Sequence, residues 1–276
     1  METTVFREGL EIAGLPYFKR LAGDRIGLAD PSVGPIIDVH THLAMAYIRP
    51  LSVDLHRADA PTEHYLPMRG RRIDLEVYIN RNFTPEDLKS MKRDLTLMSL
   101  TAKGMRRTHT IPNLCREMAD LGIAKSVSLP IDYPVLSDNA VVTLETLKGR
   151  KEFIAFGSVH PYAREVEKKL DRQLALGARG IKVHPAVQAV RPDNRRCLRL
   201  YRLCAERGLP VMFHCGPVGI EPRLGRYLSQ VVFYEKALAE SPETLFVLGH
   251  SGALQMEKAL FKVSMGVGRI SILYTG

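Results

Sequence analysis

The feature that most restricts the fold of this chain is an alternation of short apolar runs with helical patterns. Such runs are typical of strands that are buried on both faces of a parallel sheet, because crossover helices cover both faces. Repeated strand–helix units predict an α/β fold in which helices flank a parallel sheet. The seven runs occupy residues 35–40, 124–129, 153–159, 180–183, 209–213, 245–248 and 269–274.

Local signals predict where the helices begin and end. Thr84 followed by Pro85 indicates a helix start, with the hydroxyl as a cap and the proline in the first turn. The Ser137-Asp138 pair and Asp193 are predicted to cap two later helices. Glycines at predicted helix ends are expected to adopt a left-handed conformation, and they are Gly149, Gly177 and Gly208.

Length and composition fit a single domain. The chain has 276 residues, of which 45% are hydrophobic and 25% are charged, so it carries enough apolar material for a sizeable core. Residues 44–108 interrupt the strand–helix alternation, and we interpret them as a helical insertion after the first strand. We therefore expect one domain over residues 1–276, with no internal repeat.

Composition also limits location and partners. No apolar stretch approaches the roughly 20 residues that a membrane span needs, and acidic residues near the start argue against a secretory signal. The four cysteines lack CxxC spacing and fit a reducing compartment. We therefore expect a soluble, cytoplasmic protein with no membrane partner.

The formal net charge of +9 raises nucleic acid as an alternative partner. Basic residues are dense at 69–72 and 195–202, but the second segment has an amphipathic helix pattern and no nucleic-acid motif accompanies either. The charge favours a small anionic substrate through long-range attraction. We expect no nucleic-acid partner, and homo-oligomer formation is left open.

Histidines fall at the ends of four predicted strands. His40 and His42 lie two residues apart, so they project from the same face of the first strand. His184, His214 and His250 end or follow three later strands. In a parallel barrel all carboxyl ends open on one side, which brings these imidazoles together. Imidazole suits zinc and other divalent ions, so the pattern predicts a metal site.

Residues beside these histidines have two interpretations each. Asp38 shares a face with His40 and either orients it or binds metal directly. Lys182 shares a face with His184, and it either belongs to the site or forms a buried ion pair, for which Asp38 is the candidate partner. His184 is expected to line the substrate pocket. The remaining histidines are interpreted as structural, and they are His56, His64, His109 and His160.

Four ordered segments resemble the amidohydrolase superfamily. They are HTH at 40–42, GARGIKVHP at 177–185, LPVMFHCG at 209–216 and LFVLGHSG at 245–252. The closer similarity is to the branch of amidohydrolase-related metal-dependent hydrolases and aromatic-acid decarboxylases, and it covers about residues 36–275. The resemblance implies a TIM-like (β/α) barrel with a divalent metal, most often zinc.

The resemblance also implies roles for individual residues. His40 and His42 correspond to metal ligands on the first strand, and His214 corresponds to a ligand on the fifth. His250 resembles either a ligand of a second metal or a catalytic acid/base. Lys182 matches the position of a carboxylated lysine that bridges two metals in some members. Whether the site holds one metal or two remains open.

The chain departs from the family pattern near its end. Family members carry an aspartate on the eighth strand that binds metal and moves protons. Here residues 271–276 are assigned to strand seven, so the barrel is expected to lack the eighth strand and its aspartate. Two unpaired edges would result. The N-terminal 34 residues are a poor substitute strand, because the pairs Asp30-Pro31 and Gly34-Pro35 break the end of that segment.

Three functions are consistent with these residues. The first is a metal-dependent hydrolase, in which a metal-activated water attacks the carbonyl of an amide, ester or lactone and His250 stabilises the oxyanion or transfers a proton. The second is a metal-dependent, non-oxidative decarboxylase of an aromatic or unsaturated acid. The third is a catalytically incomplete barrel that retains metal affinity or serves as a partner subunit.

Overall fold

The computed structural model describes residues 4–58, 61–77, 79–101, 103–133, 136–264 and 269–272. The strands within these ranges are β1 (Val5–Phe6), β2 (Phe18–Leu21), β3 (Arg25–Leu28), β4 (Ile36–Thr41), β5 (Ile73–Asp74), β6 (Ile123–Ser128), β7 (Phe153–Ala155), β8 (Ile181–Val183), β9 (Val211–His214), β10 (Leu245–Gly249) and β11 (Arg269–Ile272).

The α-helices alternate with the later strands, as the apolar pattern predicts. They are α1 (Pro85–Thr101), α2 (Ile111–Asp120), α3 (Asn139–Thr146), α4 (Val166–Ala175), α5 (Pro185–Gln188), α6 (Arg195–Glu206), α7 (Arg223–Leu228), α8 (Val232–Glu240) and α9 (Met256–Ser264). Short 3-10 helices span Gly9–Gly14, Pro31–Val33, Ile79–Asn82, Met105–Thr108 and His250–Gln255.

Seven parallel strands form the framework of the fold. β4, β6 and β7 pair in that order, and β8, β9, β10 and β11 form a second parallel set. A parallel bridge between Gly157 and Ile181 joins β7 to β8. The seven predicted strands are confirmed in order. Within the described ranges β4 does not pair with β11, so these strands do not form a closed barrel.

The prediction of a missing eighth strand concerns the chain after β11. Residues 273–276 lie outside the described residues, so it stays a prediction. The first 34 residues contribute β1, which pairs with β5, and the β2–β3 hairpin. Arg25 of this hairpin forms an ion pair with Asp120 at the end of α2, which fixes the hairpin against the outer helices.

Side chains of the sheet alternate between two layers of core. Val211 and Phe213 of β9 pack on the helix side with Tyr201 of α6, whereas Met212 packs inside with Val247. Tyr201 and Phe213 are fully buried and meet edge to face, with ring centroids 5.3 Å apart. Because side chains alternate along a strand, the residue after Phe213 turns inward, like Met212.

The insertion is partly helical and partly irregular. Most of residues 42–72 are irregular, while α1 and the 3-10 helix Met105–Thr108 occupy its second half. Leu43, Leu55 and Ile111 pack in one buried cluster, which attaches the insertion to α2. The assignment of 44–108 as an insertion in a single domain stays a prediction.

The predicted helix cap is confirmed at α1 and is wrong at α3 and α6. Thr84 caps α1 through a reciprocal pair, since its Oγ1 accepts from Asp87 N at 3.2 Å and its own N donates to the Asp87 carboxylate at 2.9 Å. Asp138 precedes α3, but its side chain makes no capping bond. Asp193 was the wrong cap for α6, because its carboxylate binds Arg191 and Asn194 accepts from the first turn.

Other local expectations are confirmed. Gly149, Gly177 and Gly208 have φ angles of 81°, 97° and 65°, as left-handed helix ends require. Cys197 and Cys204 are buried in the core, and all four cysteines are free. None of the helices in the described ranges combines the length and apolarity that a bilayer crossing demands.

The cap of α1 gives a testable stability difference. Replacing Thr84 with Ala removes the hydroxyl that accepts from Asp87 N, so we expect the free energy of unfolding to fall by about 1 kcal/mol. Thr96→Ala is the matched control, because its exposed hydroxyl only bonds back to Lys92 O within the same helix. Urea denaturation should separate the two variants, and equal stabilities would contradict the cap.

Candidate metal centre

Parallel pairing brings the predicted site residues to one edge of the sheet. His40 lies in β4 and His42 follows it, while His214 ends β9 and His250 follows β10. His184 comes directly after β8. Because the strands are parallel, these carboxyl ends lie on the same side, where ligands of α/β folds bind.

The imidazoles form one continuous cluster. The ring centroid of His40 lies 5.1 Å from that of His42 and 4.6 Å from that of His250. His250 is 4.7 Å from His214, and His214 stacks on His184 at 4.0 Å with an interplanar angle of 11°. The structure therefore brings together the five histidines that the sequence places at strand ends.

A backbone carbonyl fixes the tautomer of His42. Its Nδ1 lies 2.6 Å from the carbonyl oxygen of Leu129, just past the end of β6. A carbonyl can only accept a hydrogen bond, so Nδ1 carries the proton and Nε2 keeps its lone pair. This arrangement is typical of histidines whose other nitrogen binds a metal.

The two ring nitrogens of His40 have different surroundings. Its Nε2 lies 3.2 Å from Nζ of Lys182. Its Nδ1 is buried and makes no hydrogen bond among the described residues. A buried polar atom without a partner is costly, so it marks a place where a ligand is expected. The nearby Gly249 is required here, because a Cβ would lie 2.6 Å from the carbonyl oxygen of Phe213 and 3.3 Å from Cε1 of His40.

His214 is oriented by a carboxylate that no sequence pattern marked. Its Nε2 lies 3.5 Å from Oε1 of Glu221, and both side chains are buried. The Glu221 carboxylate also accepts from the backbone N–H groups of Val218 at 2.8 Å and Gly219 at 2.9 Å. Glu221 thus holds Nε2–H of His214, which leaves the lone pair on Nδ1. Spacing could not have identified Glu221, since it lies in an irregular turn.

His184 has a structural bond as well as a place in the cluster. Its Nδ1 accepts from the backbone N–H of Val187 at 3.3 Å and caps α5. The proton of the neutral ring therefore sits on Nε2. His184 stacks on His214, which is consistent with the expectation that it lines the pocket.

Burial keeps these imidazoles neutral. Loss of solvent lowers the pKa of His40, His42 and His184 well below the usual value, and neighbouring cationic groups lower it further. The pKa of His214 is lowered by burial as well, although Glu221 opposes this. Neutral imidazoles have lone pairs available at pH 7, as metal coordination requires.

Lys182 is a buried amine inside the cluster. Its side chain is fully buried, and burial lowers its pKa to about 7. It forms no ion pair with Asp38 among the described residues, so that interpretation is not supported. Asp38 instead accepts from the backbone N–H of His40 and from the hydroxyl of Ser126, each at 3.0 Å. Asp38 therefore fixes the strand end of His40 rather than its ring.

The histidines interpreted as structural lie outside the cluster or are already hydrogen-bonded. Nε2 of His160 lies 2.9 Å from the carbonyl oxygen of Gln188, and its Nδ1 accepts from Tyr162 N at 3.1 Å. His109 donates to the carbonyl of Glu63 at 3.2 Å, and His64 lies beside Glu117. His56 is exposed.

The donor set fits a divalent cation, although the ligands are not preset around a point. Zn–N bonds are about 2.0–2.1 Å long, so two imidazole ligands of one ion have centroids up to roughly 5 Å apart, which the cluster matches. Within the described ranges, no three His, Cys, Asp or Glu side chains have donor atoms that already converge on one position. The imidazoles would have to rotate to enclose an ion. The candidate ligand atoms are Nδ1 of His40, which makes no hydrogen bond among the described residues, and Nε2 of His42, which keeps its lone pair.

Comparison with known proteins agrees with this geometry. A sequence model described as amidohydrolase matches residues 37–261 of the chain. No curated protein sequence matches the chain. Among solved structures, an uncharacterised TIM-barrel protein from Bordetella bronchiseptica has a TM-score of 0.54 and 16% identity, covering 87% of this chain and 74% of that chain.

Two enzymes are also structurally similar. 5-carboxyvanillate decarboxylase from Sphingomonas paucimobilis has a TM-score of 0.51 and 11% identity, covering 88% of this chain and 81% of that chain. A probable 2-pyrone-4,6-dicarboxylic acid hydrolase from Acinetobacter baumannii has a TM-score of 0.44 and 13% identity, covering 88% of this chain and 71% of that chain. The two similarities with TM-scores above 0.5 show a TIM-barrel type of fold.

Two glycines with the same φ test how tightly the site is packed. Gly216 follows His214 in the chain and has a φ of 81°, and a Cβ there would lie 1.9 Å from the carbonyl oxygen of Gly252. Gly149 has the same φ, but its Cβ would meet nothing within 4 Å. We expect Gly149→Ala to cost about 1–2 kcal/mol of stability from backbone strain alone. Gly216→Ala should cost at least about 2 kcal/mol more, measured by chemical denaturation.

The Glu221–His214 pair predicts an effect on metal affinity. Glu221→Gln removes the charge that holds Nε2–H of His214, so we expect zinc affinity to fall about 10- to 100-fold. Competition with a coloured chelator measures this, and Glu240→Gln on the exposed end of α8 is the control. The amide nitrogen of Gln cannot accept from Gly219 N, so the melting temperature of the zinc-free variant is measured as well, to separate lost stability from lost affinity. Unchanged zinc affinity would show that Glu221 does not position a ligand.

Proposed function

The chain belongs to the amidohydrolase family, and we propose that it is a metal-dependent hydrolase of amide, ester or lactone carbonyls. The observation that carries the proposal is the cluster of imidazoles at the carboxyl edge of the parallel sheet, in which His214 is buried and the pKa values of His40, His42 and His214 are lowered. His40, His42 and His214 would hold the metal, for which zinc suits the imidazole donors. A bound divalent cation supplies Lewis acidity and lowers the pKa of a water molecule.

The residues of the chain would divide the remaining tasks. The carbonyl of Leu129 and the carboxylate of Glu221 orient His42 and His214, so that each presents one defined nitrogen. His250 lies between His40 and His214, where its imidazole can donate a proton to the leaving group or a hydrogen bond to the developing oxyanion. His184 and Lys182 line the same cluster and exclude bulk water from it.

Non-oxidative decarboxylation of an aromatic or unsaturated acid is the second candidate. The charges favour it, because Lys182 in the protonated form and Arg106 both act as positive charges on His42, whereas Glu221 is held by backbone N–H groups and by His214. Such a site attracts a carboxylate substrate. The similar fold of 5-carboxyvanillate decarboxylase adds to this candidate. If this chain is a decarboxylase, its His250 would deliver a proton to the carbon that loses carbon dioxide.

Metal removal and one ligand substitution test the proposal. Protein stripped with a chelator should lose turnover of a panel of lactones and amides, and stoichiometric zinc should restore it. His40→Ala should lower the rate at least about a thousandfold, because a donor is lost from the site. His56→Ala is the control, since this imidazole is exposed and outside the cluster.

The same assay separates the candidate functions. Release of carbon dioxide from hydroxybenzoate-type acids, without hydrolysis of the lactone and amide panel, would replace the hydrolase by the decarboxylase. Zinc binding without turnover in either panel would indicate a catalytically incomplete barrel. Full activity of His40→Ala would contradict metal-dependent catalysis at this cluster.

A further inference from the structure

The imidazole that stacks on His214 belongs to a segment with little regular structure of its own. His184 precedes the single turn of α5, and Ala189 ends that turn with a φ of 52°, in the left-handed region. One helical turn is not stable by itself, because its few hydrogen bonds do not compensate for the ordered backbone. Strand β8 holds the chain before His184, so other contacts have to hold the chain after it.

Gln188 supplies these contacts from the end of α5. Its buried side chain accepts from the backbone N–H of His184 through Oε1 at 2.8 Å, and its own backbone N–H donates to the carbonyl of His184 at 2.8 Å. Its Nε2 donates to the carbonyl oxygen of Asp132 at 2.9 Å. Its carbonyl oxygen accepts from Nε2 of His160 at 2.9 Å. Gln188 therefore binds His184 twice and ties it to the segments that follow β6 and β7.

A second buried glutamine belongs to the same set of hydrogen bonds but does not bind His184. Gln173 of α4 holds the backbone of Ser158, since its Oε1 accepts from Ser158 N and its Nε2 donates to Ser158 O, each at 2.9 Å. The hydroxyl of Ser158 donates to the carbonyl of Lys182 at 3.2 Å and accepts from Asp132 N at 3.1 Å. Of the two glutamine side chains, Gln188 is the one that binds the residue carrying the stacked imidazole.

The ring of His184 covers one face of His214. The two centroids lie 4.0 Å apart and the planes are inclined by 11°. Glu221 contacts the same ring at its edge, because its Oε1 lies 3.5 Å from Nε2 of His214. A carboxylate at the edge resists rotation of the ring within its plane, whereas a stacked ring resists tilting out of that plane. His214 is therefore restricted from two directions, and Gln188 fixes one of the two contacts.

We infer that Gln188 is a positioning residue of the candidate metal centre. It holds His184 against His214, and the stacked ring of His184 in turn keeps His214 in the orientation in which it presents Nδ1. This role rests on the proposed function only in treating His214 as a metal ligand. The contact between the two rings is present in the chain without a metal, so it can be tested independently.

The same substitution at the two glutamines tests this role. Gln188→Met and the control Gln173→Met each replace a buried amide with an apolar side chain of similar length, and each removes hydrogen bonds to backbone groups. Gln188→Glu is the conservative variant, because it keeps an acceptor for His184 N.

Two measurements are made on the full chain. The first is the nuclear Overhauser contact between the ring C–H protons of His184 and His214 in zinc-free protein, with the signals assigned from variants that lack one histidine. The second is the dissociation constant for zinc, obtained by competition with a coloured chelator. Melting temperatures of the zinc-free proteins are recorded in parallel, to separate lost stability from lost positioning.

We expect the wild type to show the contact between the two rings, because they are stacked. Gln188→Met should lose this contact and bind zinc about tenfold more weakly, since an outer partner of the site is removed. Gln173→Met should lower the melting temperature but keep both the ring contact and the zinc affinity, because its amide does not touch His184. Gln188→Glu should keep the ring contact, since the acceptor for His184 N remains.

Three results would overturn the role of Gln188. They are a ring contact that persists in Gln188→Met, a ring contact that disappears equally in Gln173→Met, and a zinc affinity that is unchanged in Gln188→Met. If Gln188→Met does not fold, Gln188→Asn takes its place, because the shorter amide keeps its polarity but cannot span His184 N and the carbonyl of Asp132.

The proposed function can fail separately. If the ring contact and the zinc affinity follow Gln188 as expected while no lactone, amide or acid is turned over, the positioning role stands and the enzymatic proposal falls. If substrates are turned over with zinc while the ring contact is the same in every variant, the enzymatic proposal stands and Gln188 has no positioning role.

Discussion

Seven strands paired in parallel determine where the chemically important side chains of this protein lie. Parallel strands need crossover connections, so segments that are distant in sequence become neighbours at one edge. His40 and His250 are 210 positions apart (250 minus 40), yet their ring centroids lie 4.6 Å apart. Side-chain alternation then decides which residues face inward: Met212 and His214 share a face of β9, while Phe213 packs against the helices. Without this register the imidazoles would not meet.

Desolvation gives the cluster its chemical character. Each of His40, His42 and His184 would be charged only at low pH, because burial and the neighbouring cations disfavour protonation. A group of charged imidazoles this close would repel one another, whereas neutral ones offer lone pairs. The carbonyl of Leu129 and the carboxylate of Glu221 then decide which nitrogen each ring presents. Burial thus keeps the rings neutral, and hydrogen bonds fix which nitrogen each ring presents. Both effects favour binding of a cation.

The sequence predicted the parts of the molecule that depend on regular patterns. Apolar runs located all seven strands, and the histidines at their ends were located because parallel strands align their carboxyl ends. Residues in irregular segments were not predictable. Glu221 lies in a turn, and its position beside His214 depends on how that turn packs. The cap of α6 was misplaced by one residue, since Asp193 and Asn194 are equally good caps and the ion pair with Arg191 decides between them.

X-ray absorption spectroscopy of the zinc-loaded protein would show whether the imidazoles share an ion, because it reports the atoms bound to that ion. We predict a first coordination shell at about 2.0–2.1 Å, with the outer scattering of several imidazole rings. Imidazole scattering should decrease when His42 or His214 is replaced by Ala. A shell of oxygen atoms alone, or a wild-type protein that retains no zinc after gel filtration, would contradict coordination of one ion by imidazoles from separate strands.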